Sequence, residues 1–202
     1  DLFSITFMAA KSSFIVGFGV VFLAALIGVP IGMIAGLKGG FIDTVLIRIT
    51  DGFIAFPPLI LPFTITALLG PSLTNITIAI AVAWFPWYVR IVRARTLEIR
   101  SSGYVESAKV MGAGWTHILK KHIFPNAFPA VLIQASADIG YAILMAAGLS
   151  FLGLGAQPPQ LEWGLLITQS RISFLYSWWT ILPPGIGLFI TVVICNYLGD
   201  SL

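Results

Sequence analysis

The chain has 202 residues, of which 58% are hydrophobic and 9% charged. An ordinary soluble domain carries about 25% charged residues, so most of this surface faces lipid and a soluble globular class is excluded. The formal net charge is +3, and seven of the 11 Lys and Arg lie between Arg90 and Lys121. Long apolar runs flank that cluster, which argues against nucleic-acid binding.

A span needs about 20 mostly apolar residues to cross roughly 30 Å of hydrocarbon. The first is Ser12–Leu37, which carries no charge. In it Gly28, Gly32 and Gly36 recur every four residues and line one helix face, so a neighbouring backbone can approach closely. Pro30 is placed to kink it. The stretch Gly52–Val89 is also uncharged and long enough for two crossings, with a turn at Gly70-Pro71-Ser72 and Asn75. The second crossing is expected to begin near Ile42. That puts Arg48 and Asp51 in its first turns, where they can pair three residues apart or reach the interface. The third span runs from about Asn75 to Val92 and ends at Arg90, Arg93 and Arg95.

A polar loop follows, about residues 93–125. The fourth span runs from about Asn126 to Leu149 and contains one acid, Asp138. A bare charge there is expensive, so Asp138 is expected to face the bundle and bond to Gln134 or Ser136. Contact with a cation or a peptide amine in a pathway is the sharper alternative. Gln157-Pro158-Pro159-Gln160 breaks the chain, Leu161–Ser177 reads as a short surface segment, and a fifth span covers about Trp178–Leu198. The expected fold is an all-α polytopic membrane bundle of about five spans, forming a single domain over residues 1–202.

Basic loops favour the cytoplasm, so the loop at 93–125 is expected inside, the N-terminus outside and the C-terminus inside. The first residues lack the basic and small-residue pattern of a signal peptide. The expectation is therefore a fragment preceded by a further helix. Trp84, Trp87 and Tyr88 at one end, and Tyr176, Trp178 and Trp179 at the other, fit interfacial anchors.

Within the loop, Tyr104, Ala108, Met111 and Trp115 fall at i, i+4, i+7 and i+11, on one helical face. Gly112 and Gly114 can end or bend that helix. A second short helix, Thr116–His122, is expected to stop at Pro125. Such an element lies on headgroups or enters a groove of a partner protein; periodicity does not choose. His117 and His122 are five apart, off a common helical face, and no Cys or carboxylate cluster joins them, so no metal site is expected. Cys195 stands alone in an apolar run and reads as a packing residue. There is no phosphate loop and no nucleophile–base pair or paired carboxylates. Neither catalysis nor a bound cofactor is expected in this chain.

Glu106-Ser107-Ala108, three residues, Gly112, then His122-Ile123-Phe124-Pro125 resembles the Glu-Ala-Ala loop of ABC-importer permeases. Ser107, His122 and Phe124 depart from that pattern. Ala35-Gly36-Leu37-Lys38-Gly39-Gly40, Arg48-Ile49-Thr50-Asp51, Phe56-Pro57, Tyr88-Val89-Arg90, the run Ser150–Pro159, Glu162-Trp163-Gly164 and Asn196–Asp200 resemble the C-type permease of dipeptide, oligopeptide and nickel importers. The resemblance covers nearly the whole chain.

It implies a permease paired with a second, similar permease as a heterodimer, with substrate passing between them. Two ATPase subunits, which hold ATP and magnesium, would dock on the loop, and an extracytoplasmic binding protein would deliver substrate. Tyr104, Glu106, Ser107, Ala108, Met111, Gly112, Gly114 and Pro125 would then form the ATPase-coupling site. A short C-terminal tail would be missing as well as the first helix. Two readings from other classes stay open: a secondary transporter or channel using Asp138, which lacks a visible inverted repeat, and a membrane scaffold with no pathway.

Overall fold

The computed structural model describes residues 2–201, with Asp200 described by its backbone alone. Hydrocarbon offers backbone groups no water, so each N–H and C=O must find a partner within its own segment. Among the described residues the chain is accordingly helix and turn, without a strand. The helices are α1 Leu2–Lys38, α2 Gly40–Ile54, α3 Ile60–Leu69, α4 Leu73–Arg100, α5 Gly103–Val110, α6 Trp115–Ile118, α7 Phe124–Phe151, α8 Trp163–Ser170 and α9 Leu182–Ser201. A π turn, Leu119–Ile123, joins α6 to α7, and a tight turn, Trp178–Ile181, leads into α9.

Among the described residues four stretches are long and apolar enough to cross a membrane: Leu2–Lys38, Leu73–Arg100, Trp115–Phe151 and Trp178–Gly199. The second expected crossing is two helices, α2 and α3, parted around Pro57 and Pro58. Proline removes a donor and clashes with the carbonyl four residues back, and it drives the preceding residue out of helix. The turn before α4 is closed by Asn75, whose side chain donates to the carbonyls of Leu69 (3.0 Å) and Gly70 (2.9 Å). Gly70 adopts φ 88°, open to glycine at little cost.

Two expected boundaries move. Helix α4 continues to Arg100, so Arg90, Arg93 and Arg95 lie within it. Pro125 does not stop a helix either: α6, the π turn and α7 run on as one stretch. The wider π turn just ahead of Pro125 is where the clash of its ring with the preceding turn is absorbed.

The chain divides into two compact units. The first draws on Asp1–Leu23, Pro57–Ala83 and Ala135–Leu202. Its core gathers Ala9, Ile143, Ala147, Trp163 and Leu188, with Phe14 against them. The segment Leu161–Ser177 is therefore not wholly a surface strip: Glu162 is 1% exposed and Trp163 4%. Trp163 Nε1 donates to the Thr6 carbonyl at 2.9 Å, and its backbone N–H donates to Ser13 Oγ at 3.3 Å. Phe14 meets the indole edge-on, with centroids 6.0 Å apart. A Cβ at Gly164 would stand 2.5 Å from the Ala147 carbonyl oxygen, so only glycine lets α8 lie this close to α7. The Glu162 carboxylate accepts from the N–H groups of Gly164 (2.9 Å) and Leu165 (3.0 Å), capping α8 where its dipole favours an anion.

The second unit draws on Ala24–Phe56 and Trp84–Gln134. Here Gly28, Gly32 and Gly36 face α4. A Cβ at Gly28 would stand 2.6 Å from the Phe85 carbonyl oxygen, and one at Gly32 2.6 Å from that of Val89. At Gly36 it would stand 2.7 Å from Thr96 Cβ. Tyr88 packs into this seam and is fully buried, so it is not an interfacial anchor. Helix α2 lies against the same helix: Phe53 and Phe85 meet edge-on at 5.0 Å, Arg90 Nη2 donates to Asp51 at 2.7 Å, and Arg93 donates to both oxygens of Asp43. Arg48 does not take Asp51. It is exposed, while α4 offers Asp51 a guanidinium from across the helix pair.

Candidate functional site

Helix α5 is preceded by Ser102, whose extended backbone turns the chain after α4 and whose carbonyl accepts from Val105 and Glu106 N–H, each at 3.1 Å. Val105 and Ala108 are buried, whereas Tyr104, Glu106, Ser107 and Lys109 are exposed. The Ser107 hydroxyl donates back to the Gly103 carbonyl at 2.8 Å, so it is engaged with its own helix.

The end of α5 is built by Gly112. Its φ is 86°, a conformation that costs an L side chain about 1–2 kcal/mol. That geometry lets Ala113 N–H reach back to the Ala108 carbonyl (3.0 Å) and Gly112 N–H to that of Lys109 (2.9 Å). This bond pair is the Schellman closure of a helix C-terminus. Gly114 is extended and begins α6.

The closure changes the expected stripe. Helix α5 ends at Val110, so Met111 lies in the turn and Trp115 opens the next helix. The turn instead sets Tyr104, Ala108 and Met111, without Trp115, around an open depression of about 600 Å³. Tyr104, Ala108, Met111 and the Gly112–Gly114 turn form one side, and His117 and His122 the other. Around it Val110 (89%), Met111 (81%) and Trp115 (54%) are exposed. Exposed apolar side chains gathered at one place mark an interaction surface. Trp115 also borders a smaller cavity of about 190 Å³ with Ile34, Leu37 and Lys38, which sets α6 beside the end of α1.

An ordinary α-helix does not align His117 with His122, five residues on. The π turn does. Their ring centroids are 5.8 Å apart, and His122 lies 5.8 Å from the Tyr104 ring. Pro125 was the available signal, since a proline entering a continuing helix forces a local irregularity. Pro125 itself is exposed in the first turn of α7.

The remaining candidates fall elsewhere. Asp138, within α7, is buried at 5% exposure, while Gln134 and Ser136 are half-buried. Asp138 belongs to the first unit, and Gln134, Arg48 and Asp51 to the second. Among the described residues no group of three or more His, Cys, Asp and Glu is placed to hold a metal ion. Cys195 is buried, its Cβ against Gly140.

Apolar helical stretches of spanning length, with the short helix α5 and its Gly112 turn leading from one into the next, define a polytopic membrane protein. Residues 28–202 match the family described as binding-protein-dependent transport system inner membrane component, and the chain belongs to that family. It is a permease subunit of an ABC importer, a component of the inner membrane. It is 42% identical over 202 residues to the probable D,D-dipeptide transport system permease protein DdpC of Escherichia coli (strain K12), covering 100% of this chain and 68% of that protein. It is 38% identical over 205 residues to the nickel transport system permease protein NikC of the same strain, covering 100% of this chain and 73% of that one. The chain thus spans about two thirds of the length of such relatives. An inward-facing structure of the MetNI methionine ABC transporter shares the fold, with TM-score 0.75 and 20% identity over 96% of this chain and 94% of that one.

Proposed function

We propose that this permease carries small peptides and that the loop from Ser101 to Pro125 is its contact with an ATPase. The observation that carries the coupling role is the turn closed at Gly112, which presents Val110, Met111 and Trp115 as exposed apolar side chains beside Lys109, Lys120 and Lys121. That combination suits insertion into a groove on a protein partner. The basic residues support a cytoplasmic position for it. Glu106, Ser107 and Ala108 supply the first helix of the docking element, and Tyr104, Gly112, Gly114 and Pro125 hold its shape. Two ATPase subunits carrying ATP and magnesium, a second permease of similar fold and an extracytoplasmic binding protein complete the assembly. This chain performs no hydrolysis in that scheme. ATP-driven closure of the ATPases moves the loop, and each of two states is favoured by a different ligand.

Peptide as the substrate is supported by the 42% identity to a relative named for D,D-dipeptides. Nickel is the second reading, supported by the 38% identity to a nickel permease. Uptake of labelled dipeptide by the whole assembly tests the choice, with unlabelled dipeptide and nickel as competitors. Competition by nickel alone would reverse the assignment. For the docking role, Met111→Glu is expected to abolish co-purification of the ATPase subunits while the permease still inserts. Undiminished co-purification would remove the loop from the interface.

A further inference from the structure

The turn-rich segment between α8 and α9 is the most exposed apolar stretch of the first unit. Ile172 and Leu175 are each 89% exposed and Tyr176 84%. It is nevertheless an ordered turn. Ser177 N–H donates to the Ser173 carbonyl at 2.8 Å, Tyr176 N–H to the same carbonyl at 3.0 Å, and Thr180 Oγ to the Ser177 carbonyl at 2.8 Å. Much of its polar capacity is met internally, while its apolar side chains are left to the surroundings.

The surroundings are set by the helix that follows. The stretch long and apolar enough to cross the membrane begins at Trp178. Leu175 is three residues earlier, at most about 10 Å of extended chain. The headgroup layer is roughly 5–7 Å deep on each face of a 30 Å hydrocarbon core. The segment is therefore held within about 10 Å of the start of that stretch. Trp179, two residues past the segment, lines an apolar groove of about 680 Å³ with Phe7, Phe14, Leu182, Ile186 and Ile190, a wall suited to acyl chains rather than water. Trp178 and Trp179 stand edge-to-face at 6.2 Å. Trp and Tyr prefer this depth because each joins an apolar ring to a polar handle. Arg171 opens the segment, its guanidinium 5.6 Å over the Phe151 ring, and supplies a cation at its start.

We propose that residues 171–177 lie in the membrane headgroup layer, with Ile172 and Leu175 against the acyl boundary and Tyr176 and Trp178 at the interface. The segment is a lipid-facing anchor, continuous with the membrane surface of α9. This inference uses the membrane assignment and does not depend on which solute the permease carries.

The test uses the full permease assembly in nanodiscs. Leu175→Cys, Ile172→Cys and Gln160→Cys, each with Cys195→Ala, are labelled with an environment-sensitive fluorophore and compared in ordinary lipid and in lipid brominated on its acyl chains. Labels at 175 and 172 are expected to emit at shorter wavelength and to be quenched at least threefold more than the label at the exposed turn position 160. Equal quenching at all three positions overturns the proposal. So does a label at 175 that ignores brominated lipid and is shielded when the binding protein is added, which would assign the surface to a protein partner. If the cysteine variants do not assemble, the unlabelled protein gives the same decision. Leu175→Trp is expected to add a tryptophan component that brominated lipid quenches more strongly than the one added by Gln160→Trp, and equal quenching of the two overturns the anchor.

Discussion

Arg93 holds both carboxylate oxygens of Asp43, 50 residues earlier in the chain, through Nε at 2.5 Å and Nη2 at 2.6 Å. The pair is partly withdrawn from solvent, with the Asp43 side chain 16% exposed. It fixes the start of α2 to the later half of α4 beside the glycine seam.

A two-point, partly buried pair of this kind is worth more than a surface contact. Removing one partner with Arg93→Ala is expected to destabilise the protein by about 1–2 kcal/mol, because a charged acceptor is left with fewer donors. The more open Arg90–Asp51 pair, with side chains 45% and 40% exposed, is expected to contribute about 0–1 kcal/mol. Thermal unfolding midpoints of the two single variants in the same detergent compare them. The Arg93→Ala/Asp43→Ala double variant should lose less than the sum of its singles.

The glycine seam makes a sharper contrast. Gly32→Leu places side-chain atoms where the Val89 backbone already stands and is expected to cost at least 1–3 kcal/mol, with loss of folded protein on extraction. Gly52, inside α2, has nothing within 4 Å of where its Cβ would stand. Gly52→Ala is therefore expected to stabilise by about 0.5–1 kcal/mol through reduced backbone freedom in the unfolded chain. Yield of monodisperse protein after heating separates the two outcomes.

Gly112→Ala should keep the spans and disturb the loop. Space is available, but φ 86° is not suited to a Cβ, so the closure of α5 is expected to loosen at a cost of about 1–2 kcal/mol. Transport is expected to fall severalfold, while the unfolding midpoint, dominated by the apolar helices, moves little. Equal loss of both would make Gly112 a folding residue rather than a shaper of the loop.

Glu162→Gln tests the cap of α8. Glutamine offers one acceptor oxygen in place of two and sets an NH₂ group against a backbone N–H. A buried donor left unsatisfied costs about 1–3 kcal/mol. Amide exchange at Gly164 and Leu165 is expected to accelerate, and unchanged protection at both would show the cap to be dispensable.

How far these features can be read without coordinates differs by residue. The apolar runs and the turn at Asn75 are visible, because lipid demands length and turns demand particular side chains. The spacing of Gly28, Gly32 and Gly36 announces a close neighbour but not that the neighbour is α4, nor that Tyr88 fills the seam. Asp51 looked ready to pair with Arg48 because sequence displays i,i+3 neighbours and hides a guanidinium 39 residues away. The histidine pair is hidden for a different reason: a 3.6-residue period does not align residues five apart, and the chain uses a π turn there. Helix α8 was hidden because its burial depends on α1, which no local pattern can reveal.

That last dependence has a consequence for synthesis. Trp163 is held by Thr6 and Ser13, 157 and 150 residues earlier. Chains grow from the N-terminus at about 5–20 residues per second, so α1 waits on the order of ten to thirty seconds before its indole partner exists. Throughout that interval the Thr6 carbonyl and the side of α1 that will receive Trp163 must be sheltered by lipid or by the insertion machinery. A chain stalled before Trp163 would leave that side of α1 open to the bilayer, in a form that differs from the finished permease.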